Sequence, residues 1–355
     1  MKILHLEASS GWGGQEIRIL REATGMRERG HEIFFGIQKG GALASRARGA
    51  GFTVYELNFS KPAWPVSLLR LLWIMKRHPI ALVNTHSSLD SWIGGIAARL
   101  ARKRIVRTRH LSTPTKAGWN SRMVYGKLAD FVVTTCSSIL PTICQQSGKR
   151  ADQCRSIPTG IDPEAIRLEG DFRKHLGLSE THFLVGTACF MRSWKGIDDL
   201  LKAADLLRAH ADLKWVIIGG GHAERPQIRA RELNLENIVF FTGHLENPFP
   251  ALAALDLFAL LSTAHEGISQ ATLQAAYLGK PLITTTIGGL PEVCIDSVTG
   301  FTVPPFSPSE VARAVLFLKA SSLLREQFGS AARELVLERF TFKQTLDAME
   351  EVYTT

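Results

Sequence analysis

Cysteine is scarce. Five occur in 355 residues, at 136, 144, 154, 189 and 294, and no two form a C-x-x-C pair. That spacing gives neither a zinc ribbon nor a disulfide framework, and it fits a reducing compartment. No run of 18 apolar residues occurs, so no spanning helix is expected. The start, Met1–Leu6 (MKILHL), is too short and too interrupted for the apolar core of a signal peptide and reads as a strand. The expected location is therefore the cytoplasm. There is no Asp-x-Asp triplet, no low-complexity tract and no G-x-G-x-x-G fingerprint. A metal-held diphosphate and a dinucleotide cofactor are accordingly not expected.

What is present is a folded composition, 45% hydrophobic and 21% charged, at a length that fits two domains. The net charge of +9 is uneven: residues 1–160 hold 24 of the 42 Lys/Arg but only 9 of the 33 Asp/Glu. A basic first half points to an anionic partner such as a phosphorylated lipid or saccharide, an anionic membrane surface or nucleic acid. Nucleic acid is disfavoured because basic and aromatic residues interleave only within Trp64–Arg77.

Short apolar runs alternate with amphipathic ones. Ile3–Leu6, Glu32–Gly36, Val54–Leu57, Leu82–Thr85, Ile105–Thr108 and Phe131–Thr135 read as strands. The rhythm breaks at Ile157–Gly170 and restarts with strands at Phe183–Thr187, Trp215–Ile218, Val239–Phe241, Leu257–Leu261, Pro281–Thr285 and Gly300–Val303. Helices are expected at Glu16–Arg29, Leu89–Ala101, Ile197–His210, Arg225–Asn234, Ser269–Leu278 and Pro308–Lys319. The fold class is α/β, two Rossmann-like domains facing across a cleft. The expected divisions are 1–160, 161–335 and a final helical segment 336–355.

Several loops at strand ends could carry chemistry. Gly13 and Gly14 lie in GWGGQE, where a strand turns into a helix whose N-terminus offers N–H groups to an anion. Arg192 and Lys195 lie in FMRSWKG, a planar fork and a compact charge suited to a diphosphate. Gly219 and Gly221 end VIIGGG, where backbone could pass close to a base or ribose. In HEGIS, Glu266 and Gly267 precede the N–H groups of Ile268, Ser269 and Gln270 at the C-terminal edge of a sheet. His86 and His110 end two strands of the first half. Leu57–Pro79, with Trp64 and Trp73 among leucines and four cations, fits either a helix packed on the sheet or a segment resting on an anionic membrane.

Taken in order, Gly13–Glu16, Ser193–Gly196, Val216–Gly221, Val239–Leu245, Glu266–Gly267, Gly279–Thr284, Gly288–Glu292 and Gly300–Pro304 resemble family 4 of the retaining glycosyltransferases, which have the GT-B fold. The resemblance implies a nucleotide-sugar donor held mainly by the C-terminal domain, and a last helix, Phe340–Tyr353, crossing back to the first. It implies that Glu266 touches the donor sugar and that Arg192 and Lys195 bind the diphosphate. It further implies that Gly243, His244 and Leu245 hold the base, that Gly13 and Gly14 close on the phosphates and that His110 sits by the reacting face. Two positions depart from the family pattern. Gln274 stands where a second Glu is common, and Arg192 lies three residues before Lys195 rather than five.

The expected function is retaining glycosyl transfer to a saccharide or glycolipid acceptor, such as a phosphorylated lipopolysaccharide precursor at the inner membrane face. The alternatives are a GT-B nucleotide-sugar epimerase and an inactive nucleotide-sugar binder. Base, sugar, acceptor and oligomeric state are not readable from the residues.

Overall fold

The computed structural model describes residues 1–355 except Leu111 and Pro114. Contacts divide the chain into unit 1, Met1–Pro158 with Thr345–Thr355, and unit 2, Thr159–Gln344.

Unit 1 holds seven strands: β1 Lys2–Glu7, β2 Glu32–Gln38, β3 Thr53–Leu57, β4 Leu82–Thr85, β5 Arg104–Arg109, β6 Phe131–Thr134 and β7 Cys154–Ser156. They pair in parallel in the order β3-β2-β1-β4-β5-β6-β7. The order reverses between β1 and β4. In open parallel sheets that reversal opens a crevice beyond the C-terminal strand ends. The unit 1 core packs Leu4, Leu6, Val83 and Ile105 of the sheet against Leu71, Ile74 and Ile93 of covering helices.

Unit 2 repeats the plan with β8 Phe183–Ala188, β9 Leu213–Ile218, β10 Val239–Gly243, β11 Leu257–Leu260, β12 Leu282–Thr285 and β13 Gly300–Val303, ordered β10-β9-β8-β11-β12-β13. Its reversal lies between β8 and β11, the strands that end just before Lys195 and Glu266.

The helix Trp64–Arg77 buries Ser67, Leu71, Ile74 and Met75 while leaving Val66, Leu69 and Trp73 exposed. It is therefore a sheet-covering helix, as the first of its two readings required, with a second apolar stripe left on its outer face. The elements not foreseen include an edge strand and a late helix. β7 is a three-residue edge strand held by pairing to β6. The helix Ser322–Arg339 starts at Ser321, whose hydroxyl accepts from the Leu324 N–H. The final segment expected from 336 holds the helix Phe342–Thr354, preceded by Ser322–Arg339, and unit 1 resumes at Thr345.

Candidate active site

Unit 2 brings Lys195 and Glu266 together. Lys195 Nζ lies 2.6 Å from Glu266 Oε2, and the Ser262 hydroxyl donates to the same oxygen at 2.5 Å. Glu266 is 6% exposed and Ser262 fully buried. The carboxylate is thus held by a cation and a hydroxyl at the point where the sheet order reverses. Behind it, the Glu266 carbonyl accepts the Gly289 N–H at 3.2 Å. Gly288 has φ +60°, and a Cβ there would stand 1.7 Å from that carbonyl oxygen. Only glycine lets these two loops approach so closely. Ser262, Gly288 and Gly289 therefore support a carboxylate that loop position had singled out. The glycine pair was visible in the family pattern; the role of Ser262 had no sequence signal.

After Glu266, Ser269 caps the helix Gln270–Tyr277 by accepting the Thr272 N–H. Among the described residues, the N–H groups of Gly267, Ile268 and Ser269 donate to no protein group. They are open donors beside Lys195. The Gln270 side chain is already engaged with the Thr159 carbonyl. Gln274 is half-buried on the same helix. Arg192 is exposed and rests over Phe190 and Trp194, at 5.4 and 5.2 Å from their ring centres.

Gly219 and Gly221 are required by packing within the chain itself. A Cβ on Gly219 would meet the Cys189 carbonyl at 2.0 Å, and one on Gly221 the Met191 backbone at 2.7 Å. The close approach they permit is to the chain's own FMRSWKG loop, which positions Arg192 and Lys195. Beside them, Gly243 accepts the Gly219 N–H at 2.9 Å, while His244 is exposed and Leu245 half-buried.

In unit 1, Gly13 caps the helix Gly14–Glu28, but its N–H donates to Glu16 Oε2 at 2.9 Å. That N–H is therefore already taken by Glu16. His110 belongs to a chain of three rings. His5 Nδ1 lies 2.9 Å from His86 Nε2, and His86 Nδ1 lies 3.0 Å from His110 Nε2. His86 and His110 had been noted at strand ends. His5, inside β1, had not, and only the order β1-β4-β5 aligns the three.

The chain has a direction. Among the described residues, His5 Nε2 is buried without a partner. An orphaned buried N–H is rarer and more costly than an orphaned lone pair. The protons therefore run outward: His5 Nδ1–H donates to His86, and His86 Nδ1–H donates to His110. His110 keeps its own proton on Nδ1 and presents a donor. Burial pushes the His5 imidazole down to about 3. Burial and then nearby positive charge hold His86 and His110 well below the usual range. Long-range 15N–1H spectra should show His110 protonated at Nδ1 and unchanged from about pH 8 to about pH 5, where an ordinary histidine becomes charged. A titration near pH 6.5 would contradict this.

His110 lines a cavity of about 560 Å³ together with Arg107, Arg109, Lys116, Trp119 and Tyr125. Among the described residues, no group of His, Cys, Asp and Glu is arranged to hold a metal, and no helix is long and apolar enough to cross a membrane.

Comparison with known proteins agrees with this geometry. Residues 12–165 match the family described as Glycosyltransferase Family 4 and residues 170–335 the family described as Glycosyl transferases group 1. The chain is 25% identical over 346 residues to the N-acetyl-alpha-D-glucosaminyl L-malate synthase of Bacillus anthracis, across 92% of this chain and 90% of that protein. It is similar to a glycosyltransferase of Rickettsia africae at TM-score 0.88 and 20% identity, covering 99% of this chain and 97% of that one. It is also similar to Anabaena Alr3699/HepE in complex with UDP and glucose, at TM-score 0.83 and 23% identity over 99% of each chain. These likenesses show that each parallel sheet is one half of the GT-B fold. With both halves matched, the chain belongs to the glycosyltransferases, a family 4 domain followed by a group 1 domain, and it is a transferase.

Proposed function

We propose that this transferase moves a sugar from a nucleoside diphosphate to an acceptor hydroxyl with retention of configuration, and that the acceptor carries an anionic group, as a phosphorylated glycolipid or lipopolysaccharide precursor does. The observation that carries the donor half is the Lys195–Glu266 pair beside the three open N–H groups of Gly267–Ser269. Lys195, Arg192 and those N–H groups meet the charge that builds on the diphosphate as the C1–O bond breaks. Glu266 accepts from sugar hydroxyls. The acceptor oxygen attacks C1 on the face the diphosphate leaves, and its proton passes to a phosphate oxygen. His110 donates through Nδ1 to the sugar or acceptor. The UDP bound by the Anabaena protein supports a nucleotide donor. The malate named for the Bacillus protein supports an anionic acceptor, as does the basic first half of this chain.

A panel of UDP-, GDP- and ADP-sugars tests the donor, because a ligand that binds only the folded state raises the thermal midpoint. The accepted donor should release its nucleotide only when an acceptor is present, and NMR of the product should show the donor's anomeric configuration. Acceptor-free conversion of one nucleotide sugar to another would favour an epimerase instead.

We further propose that the outer face of Trp64–Arg77 rests on anionic lipid. Val66, Leu69 and Trp73 lie exposed there beside the exposed Lys61, Arg70, Lys76 and Arg77. Sedimentation with anionic vesicles should be seen at low salt and lost at high salt, and Trp73→Asp should abolish it. Binding that ignores both salt and this substitution would reject the assignment.

A further inference from the structure

Among the described residues, the unit 1 cavity is lined by three cations and no carboxylate. Its lining includes Arg107, Arg109 and Lys116, and neither Asp nor Glu. Arg107 and Arg109 are two apart on β5, so both project from the same face of the sheet. Arg107 is 4% exposed and donates through Nη1 to the carbonyls of Thr85 and Thr108, at 3.1 and 2.9 Å. Arg109 Nη1 donates to the Tyr125 hydroxyl at 2.5 Å, and its Nη2 to the carbonyl and, at 3.0 Å, the hydroxyl of Thr113. Every one of these partners is neutral. Among the described residues, neither guanidinium nor Lys116 pairs with a carboxylate within 4.0 Å. Asp90 interacts electrostatically with Arg107, but burial, followed by the charge of Glu7, pushes its carboxyl up to about 8. It is therefore a weak counter-charge. A desolvated positive charge without its counter-ion is costly, and the cost falls when an anion enters.

The rim supplies a second kind of surface. Trp119 is 68% exposed and stacks on Trp92 with ring centres 5.1 Å apart. Trp92 is fixed in turn by a hydrogen bond from Nε1 to Asn120 Oδ1 at 2.9 Å. A large aromatic face held open to solvent beside a polar cavity suits the C–H face of a sugar ring. The cavity, about 560 Å³, is of the size that takes a small molecule.

We infer that this cavity is the acceptor's anchoring subsite: Arg107, Arg109 and Lys116 hold an anionic oxygen group, phosphate or carboxylate, while Trp119 carries the ring or chain that bears it. This rests on the transferase reading and adds to it the residues and the chemical class of the acceptor. The group is anchored, not transformed; the hydroxyl that reacts belongs to another part of the same molecule.

The test uses the full chain, labelled with 15N, and follows the Trp119 indole and the Arg107 and Arg109 Nε signals. The probes are inorganic phosphate, glucose 6-phosphate, glucuronate and uncharged glucose. Saturable shifts are expected with the phosphates, with glucuronate or with both, the two arms deciding the anion, and none is expected with glucose. Arg109→Gln and Lys116→Ala should each weaken the bound anion by about tenfold, the loss of one charge-assisted hydrogen bond. Trp119→Ala should weaken glucose 6-phosphate or glucuronate more than inorganic phosphate. Calorimetry of the unit 1 transition on the same samples shows that each variant is folded, and UDP binding tests the donor reading separately. The inference is overturned if no anion shifts these signals up to ~10 mM, a concentration tenfold above a millimolar Kd. It is equally overturned if both charge variants bind as the parent does. In either case intact UDP binding leaves the transferase reading standing.

Discussion

Lys195→Ala should lower kcat about 10²- to 10³-fold at saturating donor, the usual effect of removing one group that stabilises transition-state charge. Among the described residues, Lys195 is the one cation in contact with the Glu266 carboxylate, and the two side chains are only 16% and 8% exposed. Within the protein, the lysine charge is matched by Glu266. On the proposed donor reading, the same ammonium would lie near both the leaving diphosphate and the carboxylate proposed to grip the sugar. Its removal therefore strips charge from the leaving group and leaves a buried carboxylate unpaired. The second effect also lowers stability, because breaking a buried pair is more damaging than replacing both partners. Lys195→Met combined with Glu266→Gln separates the two effects. The double variant should recover the thermal midpoint and remain slow. Gln274→Ala, farther along the helix, should raise donor KM more than it lowers kcat. Near-normal turnover by Lys195→Ala at saturating donor would remove this residue from the mechanism.

The second large effect concerns stability. A chain ending at Gln344 should lose cooperative unfolding of unit 1 while unit 2 melts as before. Residues 345–355 bury Leu346, Met349, Val352 and Tyr353 in unit 1, each no more than 7% exposed. At about 1.5–3 kcal/mol for each buried side chain, their loss amounts to about 6–12 kcal/mol. That rivals the whole stability of an ordinary domain, about 5–15 kcal/mol. Polar groups are stranded as well. The Tyr353 hydroxyl donates to Glu22 at 2.5 Å and accepts from Asn84 at 2.7 Å, and Asn84 in turn accepts from Thr108 at 2.9 Å. Tyr353→Phe alone should lower the unit 1 midpoint measurably, since two buried polar groups lose a partner. Calorimetry would resolve the two units, and an unchanged unit 1 transition in the shortened chain would show that the tail is dispensable.

Most strands were legible because parallel strands covered on both faces are short, continuous apolar runs, as in Trp215–Ile218 and Leu257–Leu260. β7 was not: Cys154, Arg155 and Ser156 carry no such pattern, and the strand exists because β6 offers it a ladder. The helix Ser322–Arg339 was hidden by Gly329 and Ser330 at its middle. That glycine is needed because a Cβ would stand 2.0 Å from the Gly279 carbonyl, a contact between segments far apart in the sequence. The candidate site divides in the same way. Loop position after a strand was enough to single out Lys195, Glu266 and His110. The ring chain from His5 through His86 to His110 depends on which strands become neighbours, and strand order is not written in any local run of residues; Ser262, four residues before Glu266, is a local contact that no motif singled out.

The return of residues 345–355 to unit 1 also sets a timetable for the chain as it is made. A nascent unit 1 has all seven of its strands once Ser156 has emerged, yet the slot that Met349 and Tyr353 fill is still open. At ~5–20 residues per second, synthesis of residues 159–344 occupies roughly 10–40 s. During that interval Glu22 and Asn84 face a groove with no tyrosine in it, and the apolar floor of the groove is bare. Unit 2, continuous in sequence, has no such wait. The half made first is thus the half completed last, and a chaperone that shields the nascent chain would find its longest-lived apolar target in unit 1.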